Sequence, residues 1–154
     1  MERMTMEECR RFLRSPVRTG KLATVRKDGW PLIVPVWYDL EGETVVFMTA
    51  QDSLKARNMG HDPRVSLCVD DEVTPFAYVE LQGTVVMSDD ADQVRYWATR
   101  LGGRYMGQEL AEIYGKVNSG AGVLVVHVTP THIHGYKDIT GRYPQPAQPR
   151  GPSR

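Results

Sequence analysis

Between Thr49 and Val69 the chain reads TAQDSLKARNMGHDPRVSLCV, a cationic stretch between two short β-branched runs. Lys55, Arg57, His61 and Arg64 lie in it, opposed only by Asp52 and Asp62. With Asp52 as an N-cap, Ser53–Asn58 would form one or two helical turns whose first amides point outward. Lys55 and Arg57 would then add charge, and Ser53 and Asn58 neutral donors. That set suits a phosphate group. The competing reading is a solvated connection whose cations merely offset the two aspartates.

Other chemistry-bearing residues carry less. His132 and His134 have strand spacing and could share one face of a metal, but no third ligand stands near them in sequence, and no metal is expected. His127 sits in an apolar run and reads as a hydrogen-bonded core histidine. Asp70, Asp71 and Glu72 fall where a solvated loop is expected. The sequence has no glycine-rich dinucleotide or P-loop motif, no HExxH and no GxSxG elbow. No residue stands out as catalytic.

The elements that must position the basic segment are readable from pattern. Thr5 and Glu8 have capping-box spacing ahead of Cys9, Phe12 and Leu13, so a helix opens the chain and ends at Pro16. GKLATVRKDGWPLIVPVWYD reads as two strands about an Asp28-Gly29 turn. A turn at Asp39–Gly42 leads into a strand at Thr44–Thr49. Val65–Val69 and Ala77–Met87 follow, the latter alternating apolar and polar. Val94, Trp97, Ala98, Leu101 and Tyr105 fall at helical spacing, as do Leu110, Ile113, Tyr114 and Val117. Ser88 or Asp89 can cap the first of these helices, and Gly102-Gly103 is expected to break or end it. Gly122–Val128 is the last strand, with THIHGY a candidate continuation. Six or so antiparallel strands with helices apart from them in sequence predict a mainly β, α+β domain of barrel type, and the missing βαβ rhythm excludes a doubly wound fold.

At 154 residues and zero formal net charge the chain is one domain's worth, and bulk phosphate neutralisation on nucleic acid is excluded as its mode of action. The domain is expected over residues 1–139. The Pro-rich remainder, 140–154, is expected to be a disordered tail. Two cysteines without CxxC spacing, no apolar run of bilayer length and an N-terminus without a signal-peptide core make a reducing cytoplasm the default compartment.

The ordered set Leu22-Ala23-Thr24, Asp28-Gly29, Pro35-Val36-Trp37, Lys55, Arg57-Asn58 and Asp62-Pro63-Arg64-Val65 resembles the pyridoxamine-phosphate-oxidase-like split β-barrel superfamily. More narrowly it is similar to the actinobacterial flavin/deazaflavin oxidoreductases, with FAYVELQGTVVMSDD and ATRLGGRYMGQE continuing the likeness over residues 18–136. The resemblance implies an FMN-binding-like split barrel, a homodimer, and a cofactor site at the subunit interface. Carried over, Lys55, Arg57 and Asn58 become the phosphate-side residues, with Thr49 and Ser53 as supporting donors. Thr24 and Val34, Pro35, Val36 and Trp37 would line the ring, and Phe76 would cover it.

The same resemblance points to coenzyme F420, which carries a phosphate, a lactyl group and a glutamate tail, because FMN-using relatives show a fuller arginine and lysine set. The implied activity is an F420-dependent reductase passing a hydride to a quinone, enone or tetrapyrrole-type acceptor. FMN-dependent oxidase or reductase chemistry, or non-catalytic FMN, F420 or heme binding, are the alternatives. Trp37, Tyr38, Tyr105 and Met106 are the residues expected on the acceptor side, the last two as candidates to reach it from the partner chain, unless they serve packing. Trp97, Tyr105 and Tyr114 are expected to supply the apolar surface of the dimer.

Overall fold

Thr5 caps the first helix as its spacing requires. In the computed structural model, which describes residues 1–144, its hydroxyl accepts from the Glu8 amide and the Glu8 carboxylate accepts from the Thr5 amide. Helix α1 spans Met6–Arg14 and follows a two-residue strand β1, Glu2–Arg3. The Asp28-Gly29 hairpin joins β2 (Gly20–Val25) to β3 (Pro31–Val36), and Gly29 takes the positive φ of 85° the turn needs. After Trp37 come β4 (Tyr38–Glu41), β5 (Thr44–Ala50) and helix α2 (Leu54–His61). Strands β6 (Arg64–Asp71) and β7 (Ala77–Ser88) lead to α3 (Ala91–Met106), a 3₁₀ turn, α4 (Ala111–Val117) and the long β8 (Val123–Lys137).

The described strands form one antiparallel sheet in the order β3-β2-β6-β7-β8-β5-β4, with β1 against β8. Its two edges, β3 and β4, are separated in sequence by Trp37 alone. The sheet must therefore curl until its edges meet there without pairing, which is a split barrel. The inward residues Leu22, Val36, Tyr38, Phe47, Leu67, Leu81 and Val126 fill it. On the outside of β5 and β8 a second cluster, Val46, Val94, Trp97 and Val125, seats α3. Arg100 and Arg104 of α3 both reach Asp39 and tie that helix to β4.

Several expectations are corrected. The run through Trp37 is two strands rather than one, because the chain turns from one sheet edge to the other. THIHGY does continue β8, across a bulge opposite Gln82 and Gly83. Asp90, rather than Ser88 or Asp89, caps α3, accepting from the Gln93 amide. Helix α3 runs through Gly102-Gly103 without breaking. A Cβ on Gly102 would lie 2.3 Å from Cβ of Tyr114, so the glycine is where α4 crosses α3. Most of the predicted tail, from residue 145, lies outside the described residues. No helix among the described residues is long and apolar enough to cross a membrane.

Candidate functional site

The helix after β5 begins one residue later than the sequence suggested. Ser53, not Asp52, is its N-cap, its hydroxyl accepting from the Ala56 amide and lying 2.9 Å from the Thr49 hydroxyl. The amides of Leu54 and Lys55, in the first turn, have no acceptor inside the helix. Lys55 is half-buried beside them.

Lys55 closes one side of a cleft of about 540 Å³, within the range of small-molecule sites. Pro35, Val36 and Trp37 come to it from the barrel's split, and Met48 and Thr49 from β5. Leu101 and Gly102 of α3 and Tyr114 of α4 form the opposite wall. Among the described residues Lys55 is the only charged one lining it, so the cleft is apolar with one positive corner.

Its aromatic wall is built from within the fold. Trp37 stacks on Tyr105, with ring centroids 4.8 Å apart and planes 2° from parallel, and Tyr114 tilts against it at 6.0 Å. One indole face is thus covered by Tyr105, while Trp37 also lines the cleft. The Tyr105 hydroxyl donates to the Arg18 carbonyl and accepts from the Tyr38 amide. Tyr38 is wholly buried, and its hydroxyl donates to the Leu13 carbonyl. Burial raises both phenol pKa values. The expectation that Tyr38 shapes the acceptor side is corrected, since it is buried in the fold, and within its own chain Tyr105 holds the bend at Trp37. Met106 is exposed and does not line the cleft of its own chain.

The other expected site residues divide. Thr24 and Asn58 are buried and bonded to each other, Asn58 Nδ2 donating to Thr24 Oγ1 at 3.0 Å, so within this chain they pin α2 to β2 rather than face a ligand ring. Val34 points inward and packs on the core. Arg57 does not share the Lys55 cleft. Two residues on, it leaves α2 about 200° round the helix from Lys55, and it lines a second cleft with Arg26, Lys27 and His61. Phe76 is also apart. It immediately precedes β7 at Ala77 and is not among the residues lining the Lys55 cleft, so it does not cover that cleft in its own chain; the local backbone there has φ 57°.

Met48, Leu101 and Tyr114 belong to the cleft although the sequence did not single them out as site residues. The one available signal was Gly102 inside a helical pattern, which marks a close approach. Among the described residues no group of three or more His, Cys, Asp or Glu is placed to hold a metal. His134 meets Glu80 at 3.2 Å, and its ring centroid lies 5.5 Å from that of His132.

Comparison with known proteins agrees with this architecture. The family described as Pyridoxamine 5'-phosphate oxidase matches residues 5–136. A conserved hypothetical protein from Mycobacterium tuberculosis superposes with a TM-score of 0.79 at 23% identity, covering 94% of this chain and 91% of that one. An F420 reductase gives 0.67 at 30% identity, covering 79% and 92%. A heme storage protein from Vibrio cholerae gives 0.65 at 18%, covering 83% and 92%. No curated protein matches the chain.

Proposed function

The chain belongs to the pyridoxamine 5'-phosphate oxidase family, which has a flavin-binding fold, and on that premise we propose that it is an F420-dependent reductase. The observation that carries this reading is the cleft at the barrel's split, an apolar slot with Trp37 in its wall and Lys55 as its single charge. A planar conjugated ring bearing an anionic group matches both features. The F420 reductase at 30% identity supports the deazaflavin over FMN, as does the sparse cation set.

Bound there, the reduced deazaflavin would supply a hydride to a quinone, enone or tetrapyrrole-type acceptor. The chain's own residues bind and shield. Lys55 and the free first-turn amides of α2 hold the phosphate, and the Thr49–Ser53 hydroxyl pair adds donors. Trp37 fixes the ring plane, and Met48 and Leu101 keep water from it. Tyr114, half-buried on the same wall with no hydrogen bond from its hydroxyl among the described residues, is the residue best placed to touch an acceptor.

Titration of purified protein with F420, FMN and heme in separate experiments tests the assignment. F420 should bind at least about tenfold more tightly than FMN. Equal or tighter FMN binding would replace the reading with FMN chemistry, and binding of heme alone would make the protein a carrier.

A further inference from the structure

Arg57 and the second cleft have no part in the function proposed above. This cleft, also about 540 Å³, lies between α2 and the β2–β3 hairpin. Arg26 and Lys27 enter it from the hairpin, Arg57 and His61 from the helix. Asp28 is the one acid lining it, and it is already engaged: Oδ1 accepts from the Trp30 amide at 3.1 Å, and Oδ2 lies 3.6 Å from Arg26. Among the described residues, Lys27, Arg57 and His61 have no ion-pair partner, and the nearby Asp62 is spent on Arg64.

Both walls are fixed by bonds independent of these charges. The hairpin is closed by the Arg26 amide donating to the Trp30 carbonyl and the Gly29 amide to the Arg26 carbonyl. Helix α2 is held to β2 by the buried Asn58–Thr24 bond. The fold thus assembles a cationic cleft from two rigid elements, and no bond described within the chain uses its free cations. Convergent like charges oppose one another until an anion offsets them.

We infer that this second cleft binds a multiply charged anion bearing two or more phosphate or carboxylate groups. The volume exceeds what one phosphate fills, and cations line it from both walls, Arg57 from the helix and Lys27 from the hairpin, so more than one anionic group can be met. Such chemistry has two sources: a separate small polyanion, or an anionic extension of a molecule whose ring fills the Lys55 cleft across α2.

Inorganic pyrophosphate is the probe, titrated at low ionic strength and followed by backbone amide shifts and calorimetry. Saturable shifts should map to Lys27–Gly29 and Arg57–His61. Affinity should fall about tenfold in Arg57→Gln and in Lys27→Gln but stay within about twofold in Lys55→Gln. Absence of saturable shifts, or an equal loss in Lys55→Gln, overturns the proposal. Repeating the titration with F420 or FMN present identifies the source. Displacement by F420 but not FMN assigns the extension, and displacement by neither assigns a separate anion. Shifts at Lys27–Gly29 and Arg57–His61 that persist in Lys55→Gln belong to this cleft, and shifts confined to Ser53–Lys55 belong to the Lys55 assignment, so the two readings fail separately.

Discussion

Lys55 and Arg57 look equivalent in sequence, two cations in one basic turn. The structure gives them different neighbours, because helix phase rather than spacing decides where side chains two apart point. Lys55 should therefore carry the cofactor phosphate. Its charge-assisted contact is worth roughly 1.5–3 kcal/mol, so Lys55→Ala should weaken F420 binding about 10- to 100-fold. The unfolding midpoint should barely move, since no ion pair is lost. Raised salt should weaken the wild type more than the variant. Fluorescence titration decides it, and equal affinities would remove Lys55 from the site. Ser53 was legible from turn chemistry, while Thr49 and the Pro35–Trp37 run were placed near the cofactor by the resemblance, and the structure lines the cleft with them. The inward turn of Val34 was missed because the resemblance gave the run Val34–Trp37 whole rather than by its alternation, and the Thr24–Asn58 bond and the placement of Phe76 depend on contacts between segments far apart in sequence.

At the scale of elements, the helices decide both the cleft's back wall and part of the pH response. Gly102→Ala would put a methyl 2.3 Å from Cβ of Tyr114, and neither helix backbone can yield cheaply. A loss of about 1–3 kcal/mol in chemical denaturation is expected, with weaker cofactor binding as α4 is pushed outward. An unchanged midpoint would mean that α4 slides freely. Helix α1 offers a second test. Lys137 beside Glu8, together with the Thr5 amide, holds the Glu8 carboxyl at about 2, below its usual 4.5. A carboxylate depressed by folding stabilises above its unfolded pKa, and that contribution fades as pH falls from about 4.5 towards 2. Glu8→Gln should be less stable than wild type at neutral pH, with the gap closing through that window. Urea midpoints across the window measure it, and a constant gap would show that the capping box acts without its charge.

For the whole molecule, an antiparallel barrel-type domain was legible because alternation and the Asp28-Gly29 turn are local signals, while its split form came only from the family resemblance. The surface that would join two copies was not. Trp97 of α3 is fully buried against β5 and β8, Tyr105 is stacked on Trp37, and Tyr114 lines the cleft. Helical spacing alone could not show that these aromatics are used within one chain. Exposed apolar side chains occur at several places among the described residues, and one group of them lies together on the β2–β3 hairpin. Trp30 is 69% and Ile33 67% exposed, with Val25 and Pro31 beside them on the sheet's outer face. This is an edge region that α3 does not cover, and an unpaired β3 edge with apolar side chains favours association. We therefore predict a homodimer joined through this hairpin face, extended over neighbouring strands to the roughly 800 Å² per partner that a stable interface needs. Sedimentation of the wild type should give two chains, and Ile33→Glu should shift the population to monomers without unfolding, since the side chain supports nothing inside its own barrel. The cationic cleft shares the hairpin, so dimerisation should also alter pyrophosphate affinity at Lys27. A folded wild-type monomer at micromolar concentration, or an Ile33→Glu dimer as tight as the parent, would move the interface elsewhere on the barrel.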